Sequence, residues 1–168
     1  MKKILFIEDD YALCIAPVIQ NLVAILYPLT VKEVITSYPK MKSNKALLEK
    51  TKDLSSYVPT KDLYARALKK LEDKVVIDVA KSCKEGEQKH KSVKYDLVIL
   101  DGDVFDGSTE KIFHIFDNKD AVLVHSAGYG FLERAQKAGF KNVFFKEFIT
   151  AEKIHKNEFL KKIIEVIN

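Results

Sequence analysis

The chain contains few of the residues that mark specialised protein classes. Its 168 residues include no tryptophan, four prolines and two cysteines. Cys14 and Cys83 do not have the spacing of metal ligands, which excludes a disulfide scaffold or a zinc knuckle and fits a reducing compartment, where disulfides are rare. Basic side chains exceed acidic ones by only four, a surplus too small to indicate nucleic-acid binding by itself.

A long hydrophobic segment is also missing. The apolar run at residues 4–7 ends at Glu8 and is too short for the core of a signal peptide. The most apolar stretch, residues 11–29, is interrupted by two prolines and two amide side chains, which a membrane helix of roughly 20 residues would tolerate poorly. We therefore expect a soluble cytoplasmic protein with no membrane partner.

Short apolar runs alternate with helical patterns along much of the chain. The runs lie at residues 4–7, 97–100, 121–124 and 143–145, and each ends in a polar residue. Continuous apolar runs that are rich in valine and isoleucine and contain no alternating polar residues are typical of parallel strands buried on both faces. Helical patterns at residues 109–116, 129–138 and 158–167 separate or follow them. This alternation predicts an α/β fold with right-handed crossovers and a doubly wound sheet.

Chemically reactive side chains follow the ends of these predicted strands. In sheets of this type, ligands bind at the carboxyl ends of the strands, so we expect these side chains to share one edge. They are Glu8, Asp9, Asp10, Asp101, Asp103, Ser126 and Lys146.

This ordered set resembles the receiver domain of two-component response regulators, the CheY-like superfamily. The matching segments are ILFIEDD at 4–10, YDLVILD at 95–101, VLVHSA at 122–127 and QKAGFKNVFFKEF at 136–148. Ser126 follows Asp101 by 25 positions and Lys146 follows Ser126 by 20. The resemblance covers roughly residues 1–36 and 92–168. It implies a five-stranded, mainly parallel sheet with helices on both faces.

The resemblance also implies a chemistry for the site. Asp101 is the expected phosphoacceptor, with Ser126 and Lys146 as its catalytic partners. Carboxylates brought together repel one another unless a cation joins them, and Mg²⁺ is a hard ion that prefers oxygen ligands. The expected magnesium ligands are Glu8, Asp9, Asp101 and the backbone carbonyl of Asp103. The implied partners are a sensor histidine kinase or phosphotransfer protein as phosphodonor and an output protein of unknown identity.

The chain departs from the family in its length. Asp9 and Asp101 are 92 positions apart, about twice the usual family separation. We therefore predict one receiver-like domain over residues 1–168 with an insertion at residues 37–94. Residues 38–94 contain 15 basic and 8 acidic side chains. A solvated face is the favoured interpretation of these charges, with an acidic partner or nucleic acid as the alternative. We expect no direct DNA binding.

The expected site also lacks three family features. No proline follows Asp101 within the next few residues, Glu147 stands where a proline usually follows the lysine, and Val143 stands at the usual aromatic switch position. These departures favour, as an alternative, a pseudo-receiver that binds partners without phosphorylation. A third hypothesis is a phosphatase, because residues 100–104 also resemble the first motif of haloacid dehalogenase-like enzymes, in which Asp103 would be the acid or base. The leading hypothesis is a signalling domain rather than an enzyme.

The insertion contains a helical pattern. Apolar residues recur every three or four positions from Tyr64 to Cys83, and Thr60 can serve as N-cap. We predict one long amphipathic helix that ends before Gly86, with a short strand at residues 75–77 as the alternative.

Two further expectations concern packing. Residues 11–29 are apolar on nearly all sides, which a solvated helix should not be, so either the insertion or a second subunit of a homodimer should cover them. His125 alternates away from Ser126 on its strand and is expected to be a packed side chain rather than a ligand.

Overall fold

A computed structural model describes residues 1–28, 30, 33, 61–147 and 153–168. Its main feature is a five-stranded parallel sheet formed by β1 (Lys2–Ile7), β2 (Val75–Ala80), β3 (Leu97–Leu100), β6 (Val122–Ser126) and β7 (Asn142–Phe145). The strand order across the sheet is β2-β1-β3-β6-β7. The two-residue strands β4 (Asp103–Val104) and β5 (Gly107–Ser108) form a separate antiparallel pair.

The α-helices follow β1, β2, β6 and β7 along the chain. They are α1 (Ala16–Leu26), α2 (Lys61–Glu72), α3 (Cys83–Ser92), α4 (Tyr129–Lys137) and α5 (Glu158–Ile167). A π-helical turn at Tyr11–Ile15 leads into α1, and short 3₁₀ helices lie at Thr109–Ile115, Lys119–Ala121 and Ile154–Lys156. None of the helices in the described ranges is both long and apolar enough to cross a membrane.

The sheet has one hydrophobic cluster on each face. Successive side chains of a strand point to opposite faces, so Ile4 and Phe6 of β1 pack with α1, α2 and α5. Leu5 and Ile7 pack in the second cluster, with α3, α4 and the 3₁₀ helix at Thr109–Ile115. This arrangement confirms the predicted doubly wound α/β fold, and its all-parallel sheet explains why the strand sequences show no polar alternation.

The prediction of one long helix from Tyr64 to Cys83 is wrong beyond Glu72, where the helix ends. The chain turns and forms strand β2, which pairs with β1 in parallel register from Lys2 with Val75 to Ile7 with Ala80. The four-residue spacing of Val75 and Val79 suits one face of a helix, but it equally suits one face of a strand. The β-branched run at residues 75–77 favours the strand, which was the alternative.

The sequence predicts that a helix ends before Gly86, but Gly86 lies inside α3. A Cβ atom at Gly86 would lie 2.8 Å from Cδ1 of Ile7. The missing side chain therefore lets α3 pack directly against β1. Ser82 begins this helix as its N-cap, accepting a hydrogen bond from the backbone N–H of Glu85.

The position of the added length differs from the predicted insertion at 37–94. Residues 75–92 form β2 and α3 of the main fold, so the extra residues lie between α1 and β2. Residues 34–60, with the proposed N-cap Thr60, lie outside the described residues. Helix α2 is the described part of the added length, and its Arg66, Lys69 and Lys70 are exposed, as expected for a solvated face.

Helix α2 packs on α1. Tyr64, Ala67, Leu68 and Leu71 join the same hydrophobic cluster as Leu22 and other residues of α1. The Tyr27 hydroxyl donates a hydrogen bond to the backbone carbonyl of Lys70 at 3.0 Å. The added segment thus covers apolar surface of α1, which is the first of the two predicted explanations. The homodimer stays a prediction.

Candidate functional site

The predicted site residues lie at the carboxyl edge of the main sheet. The hydrogen-bond ladder continues one residue past the strands: the N–H of Asp101 donates to the carbonyl of Ile7 at 3.0 Å, and that of Lys146 to the carbonyl of Ser126 at 3.0 Å. Because parallel strands in register end together, residues that follow different strands reach the same level. Residues far apart in sequence therefore meet at one edge of the sheet.

Three carboxyl groups converge at this edge. One oxygen atom from each of Glu8, Asp9 and Asp101 lies within 4.8 Å of the other two, and they are the one such group that could hold a metal ion among the described residues. Glu8 is 5% exposed, and its Oε1 accepts a hydrogen bond from the backbone N–H of Asp10 at 3.1 Å. The side chain of Asp103 is not in this group, since Asp103 is an exposed residue that begins β4.

Lys146 links two of these carboxylates. Its Nζ lies 2.6 Å from Oε2 of Glu8 and 2.9 Å from Oδ2 of Asp101, and its side chain is 18% exposed. Burial alone would lower the pKa of Lys146, but the hydrogen bonds and attraction of Glu8 and Asp101 outweigh burial and raise that pKa above its usual range. The amine is therefore a permanent ammonium ion at neutral pH.

Asp101 has an unusual protonation equilibrium. Burial raises the pKa of its carboxyl group to about 6, while Lys146 acts to lower it and Glu8 to raise it further. Oδ1 of Asp101 accepts a hydrogen bond from the backbone N–H of Gly102 at 2.6 Å, and Oδ2 faces Lys146. The charged form of Asp101 is thus costly in this site, and an added cation would relieve that cost.

Ser126 lies against the backbone that follows Asp101. The side chain is 5% exposed, and its Oγ accepts a hydrogen bond from the N–H of Gly128 at 3.3 Å. A Cβ atom built on Gly102 would lie only 2.5 Å from Oγ of Ser126 and 3.1 Å from the ring of Phe131. The absence of a side chain at Gly102 therefore allows the serine hydroxyl to approach the Asp101 loop.

Gly102→Ala should displace Ser126 or Phe131 and lower the free energy of unfolding by roughly 1–3 kcal/mol, the usual cost of overpacking. Urea titration measures the change. Gly128→Ala is the matched control, because its Cβ would meet neighbours no closer than 3.7 Å, and it should change stability by less. Equal effects of the two substitutions would contradict the close approach of Gly102 to Ser126.

Two residues of the site were not predicted from the sequence. Cys14 Sγ lies 3.3 Å from Nζ of Lys146, and burial, followed by the charge of Glu8, raises the pKa of the thiol. Thr109 is fully buried and donates a hydrogen bond from its hydroxyl to the backbone carbonyl of Asp101. Cys14 stood in an apolar helical pattern and Thr109 at the start of another, so neither had a functional signal.

His125 is packed, as predicted. Its ring stacks on that of Phe159, with centroids 3.9 Å apart and planes 11° from parallel. Burial, with a smaller effect of Lys146, lowers the pKa of His125 to about 3. The neutral imidazole therefore belongs to the packing between β6 and α5 and faces away from the carboxylates.

Comparison with known proteins identifies the fold. No protein-family model matches the sequence, and no curated protein matches it. The non-phosphorylated HemR receiver domain from Leptospira biflexa is similar in structure, with a TM-score of 0.50 and 20% identity over 100% of this chain and 95% of that one. The beryllofluoride-activated NtrC4 receiver domain dimer has a TM-score of 0.50 and 18% identity over 100% of both chains. These similarities and the five-stranded parallel sheet show that the chain has the CheY-like receiver fold.

Proposed function

We propose that this protein is a receiver-like signalling domain that accepts a phosphoryl group on Asp101 in a magnesium-dependent reaction. The observation that carries the proposal is the convergence of Glu8, Asp9 and Asp101 within 4.8 Å, with Lys146 bonded to two of them. A partly buried nucleophilic carboxylate beside a permanent cation suits the transfer of an anionic group, because transfer of a phosphoryl group depends on positioning and charge stabilisation.

The donor set fits magnesium. Three carboxyl groups converge, and the one ammonium ion pairs with two of them, so the excess negative charge and hard oxygen ligands match a small divalent cation. Glu8, Asp9 and Asp101 would hold the ion, and the backbone carbonyl of Asp103 is the further ligand that the family resemblance suggests. When bound, the ion would supply charge neutralisation for the phosphoryl oxygens.

The side chains then have separate roles. A carboxylate oxygen of Asp101 attacks phosphorus, so that an O–P bond forms while the P–N bond of a phosphohistidine breaks and the imidazole leaves. Lys146 transfers its contact from Asp101 to an oxygen of the attached group, and the Ser126 hydroxyl donates to another. The resulting shift in these two side chains would be the signal.

Exposed apolar residues support a protein as phosphodonor. Leu13, Phe105 and Tyr129 are 77%, 87% and 70% exposed, and they follow β1, β3 and β6, at the same edge of the sheet as Asp101. Exposed apolar side chains around a polar site mark protein contacts. The proposed donor is a sensor histidine kinase or phosphotransfer protein in the cytoplasm, and the output partner is a second protein or a second copy of this chain.

The direct test is phosphorylation of the purified protein with acetyl phosphate and Mg²⁺. We expect one phosphoryl group per chain, attached to Asp101 and absent without Mg²⁺. Asp101→Asn should abolish it, whereas Asp120→Asn, which alters an exposed carboxylate paired with Lys141, should not. Intact-protein mass spectrometry measures the adduct, and a wild-type protein that stays unmodified would overturn the proposal.

The second candidate is a phosphorylation-independent pseudo-receiver. Lys146 already pairs with Glu8 and Asp101 at 2.6 and 2.9 Å, so two of the three carboxylates have a counter-ion without an added group. Failure of both acetyl phosphate and beryllofluoride to bind would favour this function. A phosphatase has less support, because the exposed Asp103 side chain is outside the carboxylate group. It would require turnover of p-nitrophenyl phosphate that Asp103→Asn abolishes.

A further inference from the structure

Thr109 donates hydrogen bonds to backbone carbonyl groups at the point where the chain leaves strand β3. The last paired residue of β3 is Leu100, opposite Val124 of β6, so the carbonyls of Asp101 and Gly102 need partners from outside the sheet. The Thr109 hydroxyl donates to the carbonyl of Asp101. The Thr109 N–H donates to the carbonyl of Gly102 at 2.9 Å. One residue thus holds two successive carbonyls directly after the proposed phosphoacceptor.

The first of these bonds acts on the carboxylate through a single peptide unit. The carbonyl of Asp101 and the N–H of Gly102 belong to the same planar trans peptide and point in opposite directions. The Gly102 N–H donates to Oδ1 of Asp101 at 2.6 Å. Fixing the carbonyl on Thr109 therefore fixes the N–H on Oδ1, and this leaves Oδ2 facing Lys146 at 2.9 Å.

We infer that Thr109 is a positioning residue that orients the Asp101 carboxylate through the peptide between Asp101 and Gly102. The peptide that Thr109 holds also lies directly against Ser126, because Gly102 has no room for a Cβ beside the serine hydroxyl. Thr109 touches neither substrate nor metal in this role. The catalytic part of the inference rests on the proposed function, whereas the orientation of the peptide does not.

The test compares three variants of the full chain. Thr109→Val keeps the shape and removes the hydroxyl, Thr109→Ser keeps the hydroxyl, and Ser108→Ala is the matched control. Ser108 also bonds the backbone through its hydroxyl, but its partner is the N–H of Glu110. With acetyl phosphate and Mg²⁺ we expect a phosphorylation rate about tenfold lower for Thr109→Val, and rates within about threefold of wild type for the other two, in line with the loss of one positioning contact.

An amide NMR spectrum separates positioning from a general loss of stability. A proton held on a carboxylate resonates downfield and exchanges slowly, so the Gly102 amide should have both properties in wild type and in Thr109→Ser and lose them in Thr109→Val. Unchanged Gly102 signals and an unchanged rate in a folded Thr109→Val protein would overturn the inference. If that variant does not fold, the wild-type spectrum decides, because a Gly102 amide at the random-coil position overturns it.

The two failures can be told apart. A wild-type protein that takes no phosphoryl group contradicts the proposed function, while the Gly102 amide signal still tests the orientation by Thr109. A wild-type protein that is phosphorylated and a folded Thr109→Val variant that matches it contradict only the role of Thr109.

Discussion

Replacing Lys146 with methionine is expected to lower the free energy of unfolding by roughly 3–5 kcal/mol at pH 8 and low salt, the usual cost of removing one partner from a buried ion pair. The ammonium group is the contact that joins Glu8 to Asp101. Methionine has a similar length and no charge, so packing changes little. The loss therefore comes from two carboxylates left close together without a counter-ion.

The loss should shrink as the pH falls, because Asp101 can then take up a proton. Mg²⁺ should also restore stability to Lys146→Met more than to wild type, since a cation that binds only the folded state stabilises it. Urea titrations at pH 5 and pH 8, with and without Mg²⁺, measure both effects. Lys141→Met is the control, because that lysine is 75% exposed and should contribute less than about 1 kcal/mol. Equal losses for the two lysines would contradict the ion-pair geometry.

Asp101→Asn is expected to make the protein more stable at pH 7, by about 2–3 kcal/mol. Burial is the main reason that the pKa of Asp101 rises from its ordinary value of 3.8 to about 6 in the folded chain. The folded state therefore binds the proton more tightly than the unfolded state does. This favourable contribution is complete below pH 4 and is lost as the pH rises through about 6.

Asparagine cannot ionise, so the variant avoids this loss. The stability difference between Asp101→Asn and wild type should accordingly be small at pH 4 and grow up to pH 7. Asp120→Asn, at an exposed position, should show no comparable growth. A difference that is absent at pH 7, or that is larger at pH 4, would show that Asp101 is not the strained carboxylate that its burial indicates.

Strand ends explain why so much of the site could be predicted. The buried strands have unbroken apolar sequences, and the polar residue after each one is visible as a sharp boundary. This applies to Glu8, Asp101 and Lys146, which the structure brings together as expected. The order of the predicted strands and helices along the chain also predicted the fold class, because alternating strands and helices permit few topologies.

Edge strand β2 and the buried Thr109 show where sequence patterns were insufficient. Strand β2 lies at the edge of the sheet and contains Asp78, so it lacks the continuous apolar run of the central strands. Its apolar spacing fits a helix equally well, and the β-branched run at residues 75–77 favours a strand only weakly until the pairing with β1 is known. The contact of Thr109 with Asp101 depends on the β4–β5 hairpin, in which Gly107 has a φ of 106°. No pattern along the chain predicts which backbone carbonyl the hydroxyl of a threonine after such a turn will reach.

The bond between Lys146 and Glu8 spans 138 positions in the chain. Closing so large a loop is entropically unfavourable until the intervening strands have assembled, and such non-local contacts are typical of slow folding. Cation binding at this edge should consequently appear at the end of refolding, together with the last native structure. A fragment that stops before β7 would retain all three carboxylates and still lack the assembled site.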